Sequence, residues 1–214
     1  MESEQNYFES PEEQRLYAMS YDMAKITGAL VCRVVQLEEE LRLKTEEANI
    51  DHTTKLLNSN AVETIGNQWV EKDKPFVAIF FDLLNFKKVN DTCGHEIGNV
   101  YLQSVGEMIA KNTKKNDLVA RIGGDEFIVL LNTAEATEEK HIIAQNVIDR
   151  TSSLIYEYNR DEFGSIDNIG ISGGYAIFDP NIHSSYHDVI GEADKQMLHN
   201  KKQQHFENKG AYRI

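Results

Sequence analysis

Cysteine is scarce in this chain: Cys32 and Cys93 are the only two among 214 residues. Two cysteines cannot build a disulfide framework, so they are expected as free thiols in a reducing compartment. Proline is rarer than average, at three residues (Pro11, Pro75, Pro180), which leaves long stretches free to be helical. No apolar run is long enough to cross a bilayer, and Met1-Glu2-Ser3-Glu4 lacks the charged-then-apolar texture of an export signal. A cytoplasmic, soluble protein is expected. Basic residues are also in deficit. Lys plus Arg number 22 against 35 Asp plus Glu, a formal charge of −13. Such a surface disfavours non-specific binding to nucleic acid or anionic lipid. An anionic ligand must then be held by a local cluster of donors or by metal ions.

What is present is globular: 41% hydrophobic and 27% charged residues. The length fits one domain plus an extension. Residues 1–49 are expected as an N-terminal helical segment and 50–214 as the main domain. Ser10-Pro11-Glu12-Glu13 starts a helix: a capping serine, proline at the first helical position, then acids at the positive end of the dipole. Met23, Leu30 and Leu37 repeat every seven residues, with Thr27, Val34, Leu41 and Ala48 interleaved. This a/d seam suits either an amphipathic helix packed on its own domain or a dimeric coiled coil. The narrow seam and the charged flanks, Glu38 to Glu40 and Arg42 to Glu47, favour the coil.

From Ile50 the texture changes. Phe76-Val77-Ala78-Ile79-Phe80-Phe81 reads as a buried central strand ending at Asp82. A loop with Asn85, Asn90, Asp91 and Gly94 is expected next, then a helix from about Glu96 to Lys111. Leu118–Ile122 and Phe127–Leu131 read as a hairpin around Gly123-Gly124-Asp125-Glu126, the paired glycines supplying positive φ angles. A helix from Glu138 to Tyr156, a strand from Ile169 to Phe178 broken by Gly173-Gly174, and a last helix from His187 to about Gln203 complete an α/β (α+β) sandwich. Asp82 at a strand end and Asp125 and Glu126 at a turn tip could share a divalent cation, for which Mg²⁺ is the natural choice. By themselves, acids and glycines at turns are also ordinary turn chemistry.

Arg121-Ile122-Gly123-Gly124-Asp125-Glu126-Phe127 resembles the signature of the GGDEF family, the diguanylate cyclases. Four further segments are similar to that family's motifs in order and spacing. They are Asp51 to Asn58, Phe81 to Asp91, Gly94 to Asn99, and Ser172 to Ala176 with Ala193 to Lys201. The resemblance covers about residues 50 to 205. It implies a palm-like nucleotide-cyclase sheet flanked by helices. It also implies condensation of two GTP molecules into cyclic di-GMP with release of two pyrophosphates, in a homodimer whose half-sites face each other. Asp82, Asp125 and Glu126 are the catalytic residues so implied. The same three, with the Leu83 carbonyl, would hold two Mg²⁺ ions per site, with Mn²⁺ as a substitute. Phe86 and Lys87 backbone amides would hold phosphates, with Lys87 and Lys201 neutralising them. Asn90 and Asn99 would meet the guanine edge. Gly123 and Gly124 would let the backbone approach the nucleotide. His95 is expected to cap the following helix, Phe86 and Phe127 to be core, and Arg121 to pair with an acid.

Several positions depart from the family pattern. Leu84 stands for a second aspartate and Asn99 for the guanine-binding aspartate. An amide has one accepting oxygen where guanine offers two donors. Leu198 replaces a tyrosine, Gln204-His205 a Gly-Arg pair, and Thr53 and Ser59 depart in the leading segment. Lys114-Lys115-Asn116-Asp117 stands for the inhibitory Arg-x-x-Asp, and lysine lacks the guanidinium fork. A member making a mixed cyclic dinucleotide, or a non-enzymatic nucleotide-binding module, therefore stands beside the cyclase. An upstream signalling protein is the expected input, because about 50 residues are too few for a sensory domain.

Overall fold

The computed structural model describes residues 10–133, 137–164, 166 and 168–211; the side chains of residues 46, 137 and 204–211 lie outside the described set. The chain divides into two compact units after Ala48. The first is one helix, α1 (Pro11–Ala48). Its start is a reciprocal capping box. Ser10 Oγ accepts from the Glu13 amide at 3.2 Å, and Glu13 Oε2 accepts from the Ser10 amide at 3.3 Å. The apolar side chains of its seam are exposed, Met23 at 67% and Leu30 at 61%.

The second unit contains α2 (Ser59–Glu71), β1 (Phe76–Leu84), α3 (Phe86–Cys93), α4 (His95–Lys111), β2 (Leu118–Gly123), β3 (Glu126–Asn132), α5 (Thr137–Glu162), β4 (Gly170–Ile177) and α6 (Tyr186–Ala211). The four strands form one antiparallel sheet in the order β2-β3-β1-β4. The apolar run in β1 has a simple cause: the strand is interior and covered on both faces. Val77, Ile79, Phe81 and Leu83 enter the core shared with α4 and α5. Phe76, Ala78 and Phe80 enter the core shared with α2 and α6. Strand alternation therefore puts Asp82 on the α6 face.

Four local expectations are corrected. The expected loop after β1 is largely helix α3, because Gly94, at φ 85°, takes the reversal into α4 by itself. The strand at Gly173-Gly174 is not broken. The two glycines serve opposite faces of a continuous β4. A Cβ on Gly173 would meet Phe81 at 2.9 Å and Ile148 at 3.0 Å. A Cβ on Gly174 would lie 2.1 Å from the Met197 backbone nitrogen. In the hairpin, Gly124 alone has positive φ, 47°. The helices α5 and α6 also run longer than expected.

Candidate functional site

Asp82 pairs in register with Glu126 across β1 and β3, so the two side chains share the α6 face of the sheet. The Leu83 amide donates to the Asp125 carbonyl at 3.1 Å. In an antiparallel strand a residue's N–H and C=O point the same way. The Leu83 carbonyl is thereby turned toward the hairpin tip, while its side chain is buried. Sheet register thus joins the strand end to the turn without any loop adjustment.

Helix α6 supplies the remaining wall. Because Gly174 lacks a Cβ, the helix backbone lies directly on β4, and Asn200 Nδ2 donates to the Gly173 carbonyl at 2.8 Å. One turn beyond Met197, Lys201 forms an ion pair with Asp82. One turn before it, Asp194 faces Glu126. Burial pushes the Glu126 carboxyl above the usual range; Asp82, Asp125 and Asp194 add to the rise and Lys201 opposes it. The negative field in this corner is only partly balanced by one lysine. Sequence inspection missed Asp194 as a member of the corner. Its signal was its position seven residues before Lys201, on the same helix face.

The hairpin tip is braced from the other side. Arg121 donates to the Gly124 carbonyl through Nε at 3.0 Å and Nη2 at 2.7 Å, and its Nη1 pairs with Asp51 at 3.2 Å. Burial opposes ionisation of Asp51, but two hydrogen bonds from Thr54 and the Arg121 guanidinium bring its pKa below the ordinary value. Arg121 therefore pairs with an acid, as expected.

Beyond β1, Asn85 is left-handed (φ 58°) and does not cap α3 with its side chain, which donates instead to the Asn168 carbonyl at 2.6 Å. Phe86 and Lys87 are the first residues of α3, whose amides have no intrahelical acceptor, the arrangement that suits an anion. Phe86 is half-buried against the core and Lys87 is exposed. Asn90 lies against the start of α4, so close that a Cβ on Gly98 would come within 1.9 Å of its Oδ1. Asn99 is the next residue after Gly98 and is exposed. Gly94, rather than His95, is the N-cap of α4. Gly123 and Gly124 are exposed, with open space where a Cβ would stand. Leu84 takes the same face as Asp82, two residues on, and rests near Gly170. The Gln204 and His205 side chains lie outside the described set.

The donor set fits a hard divalent cation. Asp82, Asp125, Glu126 and the Leu83 carbonyl are all oxygen donors, gathered where negative charge is only partly balanced. Among the described residues no three acid, histidine or cysteine side chains form a ready-made cage. Mg²⁺ requires none, since it shares triphosphate oxygens with one or two carboxylates. A separate cavity of about 320 Å³ lies between α4, β3 and α5, lined by Lys111, Lys114, Asp117 and Arg150 among others. Asp117 accepts there from the amides of Lys114 at 2.7 Å and Asn132 at 2.9 Å. No helix among the described residues is long and apolar enough to cross a membrane.

Comparison with known proteins agrees with this geometry. The bifunctional diguanylate cyclase/cyclic di-GMP phosphodiesterase MucR of Pseudomonas aeruginosa is 34% identical over 157 residues, 72% of this chain and 22% of MucR. The chain thus spans under a quarter of that relative's length. The coiled coil and GGDEF domain of DgcB from Caulobacter crescentus, in complex with c-di-GMP, superposes with a TM-score of 0.64 at 22% identity. That match covers 87% of this chain and 95% of DgcB's. The diguanylate cyclase SiaD of P. aeruginosa, in complex with its activator SiaC, gives a TM-score of 0.64 at 21% identity, over 90% of this chain and 73% of SiaD's. At these identities the two structures establish the fold. The family model described as "Diguanylate cyclase, GGDEF domain" matches residues 48–207, and the chain belongs to that family.

Proposed function

We propose that the second unit condenses two GTP molecules into cyclic di-GMP, each bound on one copy of the chain, with two copies facing each other. Each 3′-hydroxyl attacks the α-phosphate of the opposite nucleotide; a P–O bond forms, the bond to the β-phosphate oxygen breaks, and pyrophosphate leaves. The observation that carries this is the register pairing of Asp82 with Glu126, which brings strand end, hairpin tip and Lys201 to one corner.

Asp82, Asp125, Glu126 and the Leu83 carbonyl hold Mg²⁺ or Mn²⁺, two ions per site, which supply charge stabilisation for an in-line displacement. The α3 amides at Phe86 and Lys87, the Lys87 ammonium and Lys201 bind the β- and γ-phosphates. Lys201 exchanges its contact with Asp82 for phosphate when nucleotide enters. Glu126, with its raised pKa, is suited to take the 3′-hydroxyl proton. Gly123 and Gly124 allow the backbone against the nucleotide. Asn90 and Asn99 contact the base. The exposed α1 seam joins two copies in parallel, raising the effective concentration of half-sites, and a separate signalling protein acts on this helix.

The test is incubation with GTP and Mg²⁺ followed by separation of products. Cyclic di-GMP and pyrophosphate are expected from the parent chain and neither from Asp125→Asn. GTP binding without pyrophosphate release would identify a nucleotide-binding module instead. One observation favours a second product: Asn99 offers one acceptor and one donor, which matches adenine better than guanine. A mixed GTP and ATP incubation giving a mixed cyclic dinucleotide would establish that.

A further inference from the structure

Helix α1 carries more apolar surface than a two-stranded coil buries. The dimer seam, extended to Leu16, Met19, Met23, Ile26, Leu30, Val34, Leu37 and Leu41, occupies one side. A second set stands roughly 140° around the helix, at 100° per residue: Tyr17, Tyr21, Ala24, Gly28, Val31 and Val35. Its large members are exposed, Tyr17 at 60%, Tyr21 at 62%, Val31 at 57% and Val35 at 58%. Nothing lies within 4 Å of a Cβ built on Gly28. Between Leu16 and Leu37 the charged residues are Asp22, Lys25 and Arg33, all confined to the remaining arc. Beyond Leu37 charges surround the helix. The second face therefore stops at Val35 and leaves out the last third of α1. A helix segment apolar on two sides is stable in water only when covered on both.

The sequence of this face names its occupant. Ala24 and Gly28, Tyr21 and Val31, and Tyr17 and Val35 each lie equally far on either side of Ile26. A second copy turned end for end about that point sets small against small, and each tyrosine against a valine. That is the self-complementarity of a two-fold contact, in which residue i meets j and j meets i. A parallel copy would instead stack tyrosine on tyrosine beside a gap at Ala24 and Gly28. We infer that this face of α1 is a second self-association surface, binding another copy of the chain in antiparallel sense with the closest approach at Ala24 and Gly28. Small residues four apart lie on one ridge and permit close crossing. Covering two tyrosines and two valines per copy removes on the order of 1,000 Å² over both, the lower end for a specific contact. The contact is therefore weaker than the seam and links dimers into larger species as concentration rises. It rests on the seam dimer proposed above and not on the catalytic chemistry.

The test uses the full chain with Cys32 and Cys93 replaced by serine. Differently tagged chains carrying Ala24→Cys and Gly28→Cys are mixed and oxidised. A disulfide between the two different tags is expected. Joining of Ala24→Cys chains to each other, with no mixed product, would indicate a parallel contact and overturn the inference. Light scattering provides a second readout. The parent mass should rise above the dimer with concentration, and Ala24→Glu should roughly halve the weight-average mass of the concentrated sample. Glutamate favours helix, so the variant keeps α1 folded. A parent chain that stays dimeric at every concentration refutes the antiparallel contact and leaves the face to a helix of another protein.

Discussion

Glu126 is held among like charges, and that has a measurable cost in the folded state. Its carboxyl lies above the usual range because of burial, then Asp82, Asp125 and Asp194. A raised carboxyl pKa gives stability that is complete below the unfolded value and is lost as pH rises through the folded value. In metal-free buffer, Glu126→Gln should raise Tm at neutral pH, and the gain should fade on acidification. Identical melting of parent and variant at neutral pH would show that the field is already screened. Asp51 has the opposite sign, its stability being lost as pH falls through its depressed pKa. At the proposed base contact, Asn99→Asp supplies a double acceptor. It should raise the preference for GTP over ATP about tenfold or more, one well-made bidentate pair contributing ~1–3 kcal/mol. Competition binding with the two nucleotides measures this.

Elements are positioned by a few close approaches. Gly174 lets α6 lie on β4, and the helix in turn carries Asp194 and Lys201 to Asp82 and Glu126. Gly174→Ala puts a methyl into backbone and should cost about 1–3 kcal/mol in urea unfolding. Nucleotide affinity should fall with it as the helix is displaced; unchanged stability would mean α6 does not need this contact. Between α4 and β2, both Asp117 oxygens already accept from backbone amides, and Lys114 has no guanidinium fork. Product inhibition at this cavity should be weak. Initial rates measured with added cyclic di-GMP would reveal it, and inhibition abolished by Lys114→Ala would contradict this account.

Over the whole molecule, the proposed catalysis by half-sites depends on how two chains meet. Replacing Leu30 and Leu37 by glutamate in the α1 seam should leave single-chain nucleotide binding intact and lower activity steeply on dilution. Variants as active as the parent in dilute solution, with unchanged mass, would exclude the seam. Because α1 carries two apolar faces, seam variants and Ala24→Glu should act on different assemblies and their effects on mass should be separable.

The five spaced motifs were legible in the sequence because their chemistry is local: a glycine at a tight turn, an acid closing a buried strand, an amide beside a helix start. The apolar run Phe76 to Phe81 announced an interior strand for the same reason. The linear pattern did not decide the role of Gly173 and Gly174, which read as a break. Their necessity arises from Ile148 and Met197, far away in the chain. Nor did it place Asp194, whose meaning depends on which face of β4 the last helix covers. Short-range sterics and periodicity are written residue by residue, whereas the field at Glu126 exists only once sheet register and helix contact have superposed charges from β1, β3 and α6.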